Sequence, residues 1–191
     1  RTELSEEEKQ RLGLPVFVKP ARGGSSIGVS KVSTWEEFPA AVALALEDDE
    51  KILVEPEIVG QEVEIGVLHY ADGTLLASVP ALLAGIDDSD EGFYGFDTKY
   101  LDNVVTAEIP APFAPELTEK LRDMAIRAFE ALNCEGLSRV DFFVTEDSVY
   151  INEINTLPGF TPISMYPQVL AASGVEYPAL LEALIEQALA K

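Results

Sequence analysis

Cysteine is almost missing from this 191-residue chain. Cys134 stands alone, so no internal disulfide can staple the fold, and the pattern suits a reducing compartment. Basic residues are also scarce, 13 Lys and Arg against 34 Asp and Glu, for a formal net charge of -21. Nucleic-acid affinity depends on neutralising phosphates, so this balance argues against polyanionic partners, and any anionic ligand must find a local basic pocket. Long apolar runs are missing too: "AAVALALE" and "ALLEALIEQALA" carry acids at helical spacing and fall short of the roughly 20 residues a membrane span needs. The chain shows neither an initiator Met nor a charged-then-apolar leader. The expectation is a chain without a signal peptide that begins partway through a longer protein.

What is present is enough for a folded body. Hydrophobic residues make up 47% of the chain, which buries a real core in one domain or two small lobes and excludes disorder. Cys134 reads as a small buried hydrophobe.

Residues 2–11 are polar and helix-forming, and Pro15 opens a short strand, "VFVK". The turn-rich "ARGGSSIG" and a second strand, "VSKV", complete a hairpin. Thr34 and Glu37 read as a capping box for a helix to about Glu47. "KILVEP" reads as a buried strand, and "EVEIGVLHY" alternates Val63, Ile65 and Val67 on one face ahead of a turn and the strand "TLLASV". Residues 84–103 read as a long surface loop. An amphipathic helix is expected from Pro115 to about Leu132, ended by Asn133 and Gly136. Two strands, "LSRVDFFV" and "VYINEIN", follow, then a Pro/Gly-rich loop and two short helices, near 165–173 and from Pro178 onward. The fold class is α+β, with antiparallel sheets flanked by helices.

If the last hairpin turns about Asp147, positions whose numbers sum to 294 face one another. Asp141 then lies across from Glu153, with Asn155 on the same face. Like charges directly opposed destabilise a strand pair, and a divalent cation relieves the repulsion. All-oxygen ligands favour Mg²⁺ or Mn²⁺. The alternatives are an edge hairpin whose acids face water, or a register slipped by one residue.

"VKPARGGSSIG" sets Lys19 at a strand end, followed by Gly23, Gly24, Ser25, Ser26 and Gly28. Glycine amides and serine hydroxyls are the donors an acidic protein otherwise lacks for an anion, although such a stretch can equally be a plain turn. Metal-holding carboxylates, a lysine and an amide-rich loop are the parts needed to position a nucleotide triphosphate. Glu55 and Glu62, in "VEPEIVGQEVE", are apt acceptors for adenine amino and ribose hydroxyl groups.

Over nearly its whole length, through "LPVFVKPARGGSSIGVSKV", "VEPEIVGQEVEIGVL", "FYGFDTKY", "SRVDFFV" and "INEINTLPGFTPISMYP", the chain resembles the ATP-grasp enzymes. Within them it is similar to the D-alanine:D-alanine ligases. The resemblance implies two lobes with ATP bound between them, residues 1–60 forming part of the central lobe and 61–191 the carboxy-terminal lobe. It implies that Lys19 and Lys99 contact the nucleotide, and that Glu55 and Glu62 hold adenine and ribose. Ser25 and Ser26 would belong to the phosphate and substrate loop, and Asp141, Glu153 and Asn155 would bind two Mg²⁺ ions or Mn²⁺. Arg139 and the Gly159 amide would stabilise an oxyanion, Ser164 would bind the acceptor's carboxylate, and Tyr100, beside Lys99, would come from a closing loop.

The implied activity is ATP-dependent joining of two D-alanines through an acyl phosphate for peptidoglycan synthesis, in the cytoplasm, with no nucleic acid or membrane as partner. A further lobe upstream is implied as well, bearing a substrate-anchoring glutamate and a possible homodimer contact, so the chain alone is expected to be incomplete as an enzyme. The rivals are a ligase of the same fold that takes D-lactate or D-serine, and a non-catalytic nucleotide-binding fragment. Outside the resemblance, Arg139 could be an ordinary strand arginine paired with a neighbouring acid. His69 reads as a surface residue, Trp35 and Phe38 as packing for the first long helix, and Lys31 has no assigned role.

Overall fold

A computed structural model of the chain describes residues 2–84, 106–161 and 163–190. These divide into two compact units, residues 2–58 and residues 59–84 with 106–190.

In the first unit, strands β1 (Val16–Pro20), β2 (Ser30–Val32) and β3 (Ile52–Pro56) form an antiparallel sheet in the order β2-β1-β3. Alternation sorts its faces. Val16, Val18 and Val32 point into a core completed by Phe38, Ala41, Val42 and Ala45 of helix α2 (Phe38–Asp48). Trp35 meets Phe38 edge to face at 6.0 Å, as expected of packing residues.

The expected capping box at Thr34 is only half formed. Glu37 accepts the backbone N–H groups of Ser33 and Thr34, but a turn intervenes and α2 starts at Phe38 with Pro39 in its first turn. The complete box lies in helix α1 (Glu6–Leu12), where the Ser5 hydroxyl accepts from the Glu8 amide and the Glu8 carboxylate accepts from the Ser5 amide.

The second unit carries β4 (Gln61–His69), β5 (Leu75–Ala77), β6 (Ala81–Ala84), β7 (Thr106–Glu108), β8 (Leu137–Val144) and β9 (Val149–Asn155). The main order is β7-β6-β4-β8-β9, and β5 also pairs with β4. Sequence reading ran "TLLASV" as one strand and missed β6 and β7. Ser78 and Pro80 break the run, and Ser78 spans the gap by accepting the Gly66 N–H on its hydroxyl and donating its own N–H to the Gly66 carbonyl.

Helices cover both faces of β4, so its alternation hides a strand buried on both sides. Val63, Ile65 and Val67 pack on Leu121, Ala125 and Phe129 of helix α3 (Pro115–Ala131). Leu68 packs on Tyr166, Val169 and Leu170 of helix α4 (Met165–Ala172) and Leu180 of helix α5 (Tyr177–Leu189). His69 is not a surface residue; it is half-buried, its ring edge-on to Phe129 at 6.0 Å. The expected 84–103 loop falls, apart from Ala84, outside the described residues. No described helix is long and apolar enough to cross a membrane.

Gly66 lets α4 lie close on the sheet. A Cβ there would sit 2.5 Å from Leu170 Cδ2 and 3.1 Å from both Tyr166 and Val169. Gly66→Ala should therefore lower the unfolding free energy by about 1–3 kcal/mol through overpacking, read as a lower urea midpoint at constant slope. An unchanged midpoint would show that α4 lifts without cost.

Candidate active site

Strand β8 places Arg139 and Asp141 on the face opposite Val140 and Phe142, and its neighbours complete that face. Asp141 pairs with Glu64 on β4 and with Glu153 on β9, while Arg139 pairs with Gly66 and Asn155. Three carboxylates thus form one row across three strands, and the next row holds one cation. The expected register is correct from Arg139↔Asn155 to Asp141↔Glu153. It slips by one beyond a bulge at Asp141/Phe142, which leaves Phe142 opposite Ile151. β9 is the sheet's edge, yet the site is not simply open to water, since the side chains of Arg139 and Asp141 are 16% and 13% exposed.

The charges are arranged in detail. Arg139 grips Asp141 with two hydrogen bonds of 2.7 Å, Nε to Oδ1 and Nη2 to Oδ2, the paired geometry that makes arginine–carboxylate contacts strong. Its Nε also lies 3.2 Å from Glu64 Oε2, at ion-pair distance rather than in an aligned hydrogen bond. The Asn155 amide donates to Asp141 Oδ2 at 3.0 Å and to Glu153 Oε1 at 3.4 Å, lying between both carboxylates as a weak cation would.

Glu64 is the member that sequence reading missed, although it stands two residues from Glu62 and so shares its face. The side chain of Glu64 is only 3% exposed. No cluster of three His, Cys, Asp or Glu side chains suited to an ion appears among the described residues. The expected ligand set needs only two such groups, its third being the Asn155 amide. The donor chemistry fits a hard cation: paired carboxylates with an amide between them, all offering oxygen once the amide turns.

The loop after β9 leads to Ser164, the residue just before α4. Its hydroxyl accepts the Thr161 N–H at 3.0 Å and lies 2.8 Å from where a Gly159 Cβ would be, so Gly159 is the only residue type that fits without a shift. The structure thereby brings Gly159 and Ser164 together.

A family model described as the D-ala D-ala ligase C-terminus matches residues 1–186. The chain belongs to this family. D-alanine--D-alanine ligases of Corynebacterium efficiens and Mycolicibacterium smegmatis are 66% and 53% identical to it over 99% and 98% of its length. The chain spans about half the length of these relatives, 52% and 51%. Among solved structures, the D-alanine-D-alanine ligase of Coxiella burnetii superposes with a TM-score of 0.81 at 37% identity, covering 98% of this chain and 49% of that one. A D-Ala:D-Ser ligase of Enterococcus faecalis gives 0.80 at 34% identity, covering 95% and 52%. The α+β architecture is the ATP-grasp fold of these ligases.

In the first unit of this ligase-family chain, Lys19 on β1 and Glu55 on β3 share the sheet face away from the core and pair at 2.7 Å. Lys31, left without a role by the sequence, pairs with Glu57 and lies over the Phe17 ring at 5.9 Å. The Gly/Ser loop departs from expectation in one respect. Positive φ falls on Ser25 (52°) and Ser26 (57°) and on Gly28 (72°), whereas Gly23 and Gly24 do without it. An N–H···O bond from Ile27 to Gly24 closes this turn at 3.1 Å. Left-handed serines cost about 1–2 kcal/mol each relative to glycine, so the loop keeps hydroxyls at its tip where glycine would be easier. Glu62, on β4, shares the Glu64 face; Lys99 and Tyr100 lie outside the described residues.

The base of the loop is fixed by a carboxylate. Asp49, just past α2, accepts the Arg22 backbone N–H at 2.9 Å, Arg22 Nε at 3.0 Å, Arg22 Nη2 at 2.6 Å and the Lys51 N–H at 3.0 Å. The Arg22 hydrogen bonds, followed by that of Lys51, hold the Asp49 carboxyl well below the usual carboxylate range. A depressed folded pKa gives stability that is complete above the unfolded value of about 3.9 and is lost as pH falls towards the folded one. Asp49→Asn should therefore be less stable at neutral pH and show a flatter stability profile below about pH 4, followed by acid titration of the thermal midpoint.

Proposed function

We propose that this chain supplies the nucleotide- and metal-handling part of an ATP-dependent ligase that joins two D-alanines for peptidoglycan synthesis in the cytoplasm. The observation that carries the reading is the Glu64–Asp141–Glu153 row with Arg139 and Asn155 beside it, within a chain of the D-Ala-D-Ala ligase family. Residues 1–60 are assigned to the central lobe and 61–191 to the carboxy-terminal lobe.

In this reading Lys19 binds ATP phosphate and Glu55 and Glu62 hold adenine and ribose, Lys99 adding a further nucleotide contact. Ser25 and Ser26 cover the phosphates with hydroxyl donors. Asp141, Glu153 and Asn155 hold Mg²⁺ or Mn²⁺, which would neutralise phosphate oxygens when bound. The carboxylate of the first D-alanine attacks the γ-phosphorus, ADP leaves, and an acyl phosphate forms. The amine of the second then attacks the acyl carbon, phosphate departs, and the amine loses its proton. Arg139 and the Gly159 amide stabilise the tetrahedral oxyanion, and Ser164 orients the acceptor through its carboxylate. Any homodimer contact is assigned to a lobe upstream.

The likeness to a D-Ala:D-Ser ligase supports a second reading in which the acceptor is D-serine. Tyr100 is assigned to acceptor choice. Tyr100→Phe, assayed with D-alanine, D-serine and D-lactate in protein extended to its relatives' length, should change the product ratio. A constant ratio would remove Tyr100 from specificity.

Glu153→Gln should weaken Mg-ATP binding at least about tenfold by calorimetric titration while the thermal midpoint stays near that of the parent, since a coordinating oxygen is lost from an edge strand. Equal Mg-ATP affinity would overturn the metal assignment.

A further inference from the structure

We infer that Glu64 is a positioning residue, the second seat of Arg139, which holds the guanidinium once a divalent cation takes Asp141. This rests on the metal reading proposed above.

The geometry has three parts. First, both Asp141 oxygens are engaged, Oδ1 by Arg139 Nε and Oδ2 by Arg139 Nη2 and the Asn155 amide. A cation on that carboxylate competes with the guanidinium donors, and two cations on one carboxylate repel. Second, among the described residues Glu64 is a further carboxylate beside Arg139, 3.2 Å from the same Nε, on the central strand and 3% exposed. Third, the residue facing Arg139 on β4 is Gly66, over which Leu170, Tyr166 and Val169 of α4 close, so that Glu64 is the charged side chain next along the strand.

Glu64 thus makes the displaced state of Arg139 a paired one. Without Glu64 the half-buried guanidinium loses that anion, stays on Asp141 and competes with the metal. An arginine moved towards Glu64 remains at the site, where the proposed chemistry needs it against the oxyanion. A purely structural Glu64 would matter for folding alone, and a purely electrostatic one would attract the metal without regard to Arg139.

The test uses Mn²⁺ alone, with bound and unbound ion separated by electron paramagnetic resonance. Variants are Glu153→Gln, Glu64→Gln, Glu64→Asp, Arg139→Gln and the Glu64→Gln/Arg139→Gln pair. Glu64→Gln should weaken Mn²⁺ binding about 10–100-fold, as loss of a group that orients a site does. The same change made on Arg139→Gln should have an effect of less than about twofold, because the coupling runs through the arginine. Glu64→Asp, which keeps the charge but withdraws it by one methylene, should resemble Glu64→Gln, and it decides the matter if Glu64→Gln does not fold. The inference is overturned if Glu64→Gln leaves Mn²⁺ affinity unchanged, if its effect persists undiminished without Arg139, or if Glu64→Asp binds like the parent chain. Mn²⁺ binding that Glu153→Gln abolishes but no Glu64 variant alters would leave the metal reading standing and this inference refuted. No Mn²⁺ binding by the parent chain would refute both.

Discussion

Three carboxylates side by side on adjacent strands is an arrangement that a sheet resists, and Arg139 is what makes it tolerable. Glu64, Asp141 and Glu153 are placed opposite one another by the pairing of β4, β8 and β9, so none can withdraw without breaking the ladder. Arg139 gives two short hydrogen bonds to the central acid and a charge contact to the most buried one. The remaining negative charge suits a cationic ligand, and the bulge directly after Asp141 shifts the pairing by one residue from there to the turn, leaving Asp141 and Glu153 opposed.

The rest of the second unit keeps that row in place. β4 is covered on both faces, by α3 on one side and by α4 and α5 on the other, which fixes Glu64 in a strand with little freedom to move. Gly66 admits α4 close to the sheet, and the buried Tyr166 hydroxyl donates to the Val67 carbonyl at 3.1 Å. Helix α4 begins directly after Ser164, which is packed on Gly159, so the seating of one helix also sets the loop that follows the acidic strand. Side chains intended for chemistry are held by rigid elements.

The first unit solves a different problem, that of keeping a polar loop in shape. Asp49 ties the base of the Gly/Ser loop through three hydrogen bonds from Arg22 and takes a fourth from the Lys51 N–H, while the tip carries left-handed serines where glycine would relax. Backbone strain of this kind persists only where the surroundings enforce it, and it is concentrated at functional positions.

The sequence by itself determined much of this. It contained both strands of the acidic hairpin with their correct ends, the pairing of Asp141 with Glu153, the α3 helix and the family, because local alternation and a specific terminal motif are written in consecutive residues. It also contained two candidate capping boxes, Ser5 with Glu8 and Thr34 with Glu37, of which only the first is complete in the fold. Only the tertiary structure decided that Glu64 joins the site and that His69 is packed against Phe129. Both facts depend on which strand lies beside β8 and on helices covering both faces of β4, neither of which leaves a trace in local periodicity. The split of "TLLASV" at Ser78 and the register slip beyond Asp141 were equally out of reach, since each is set by hydrogen bonds to a strand distant in sequence.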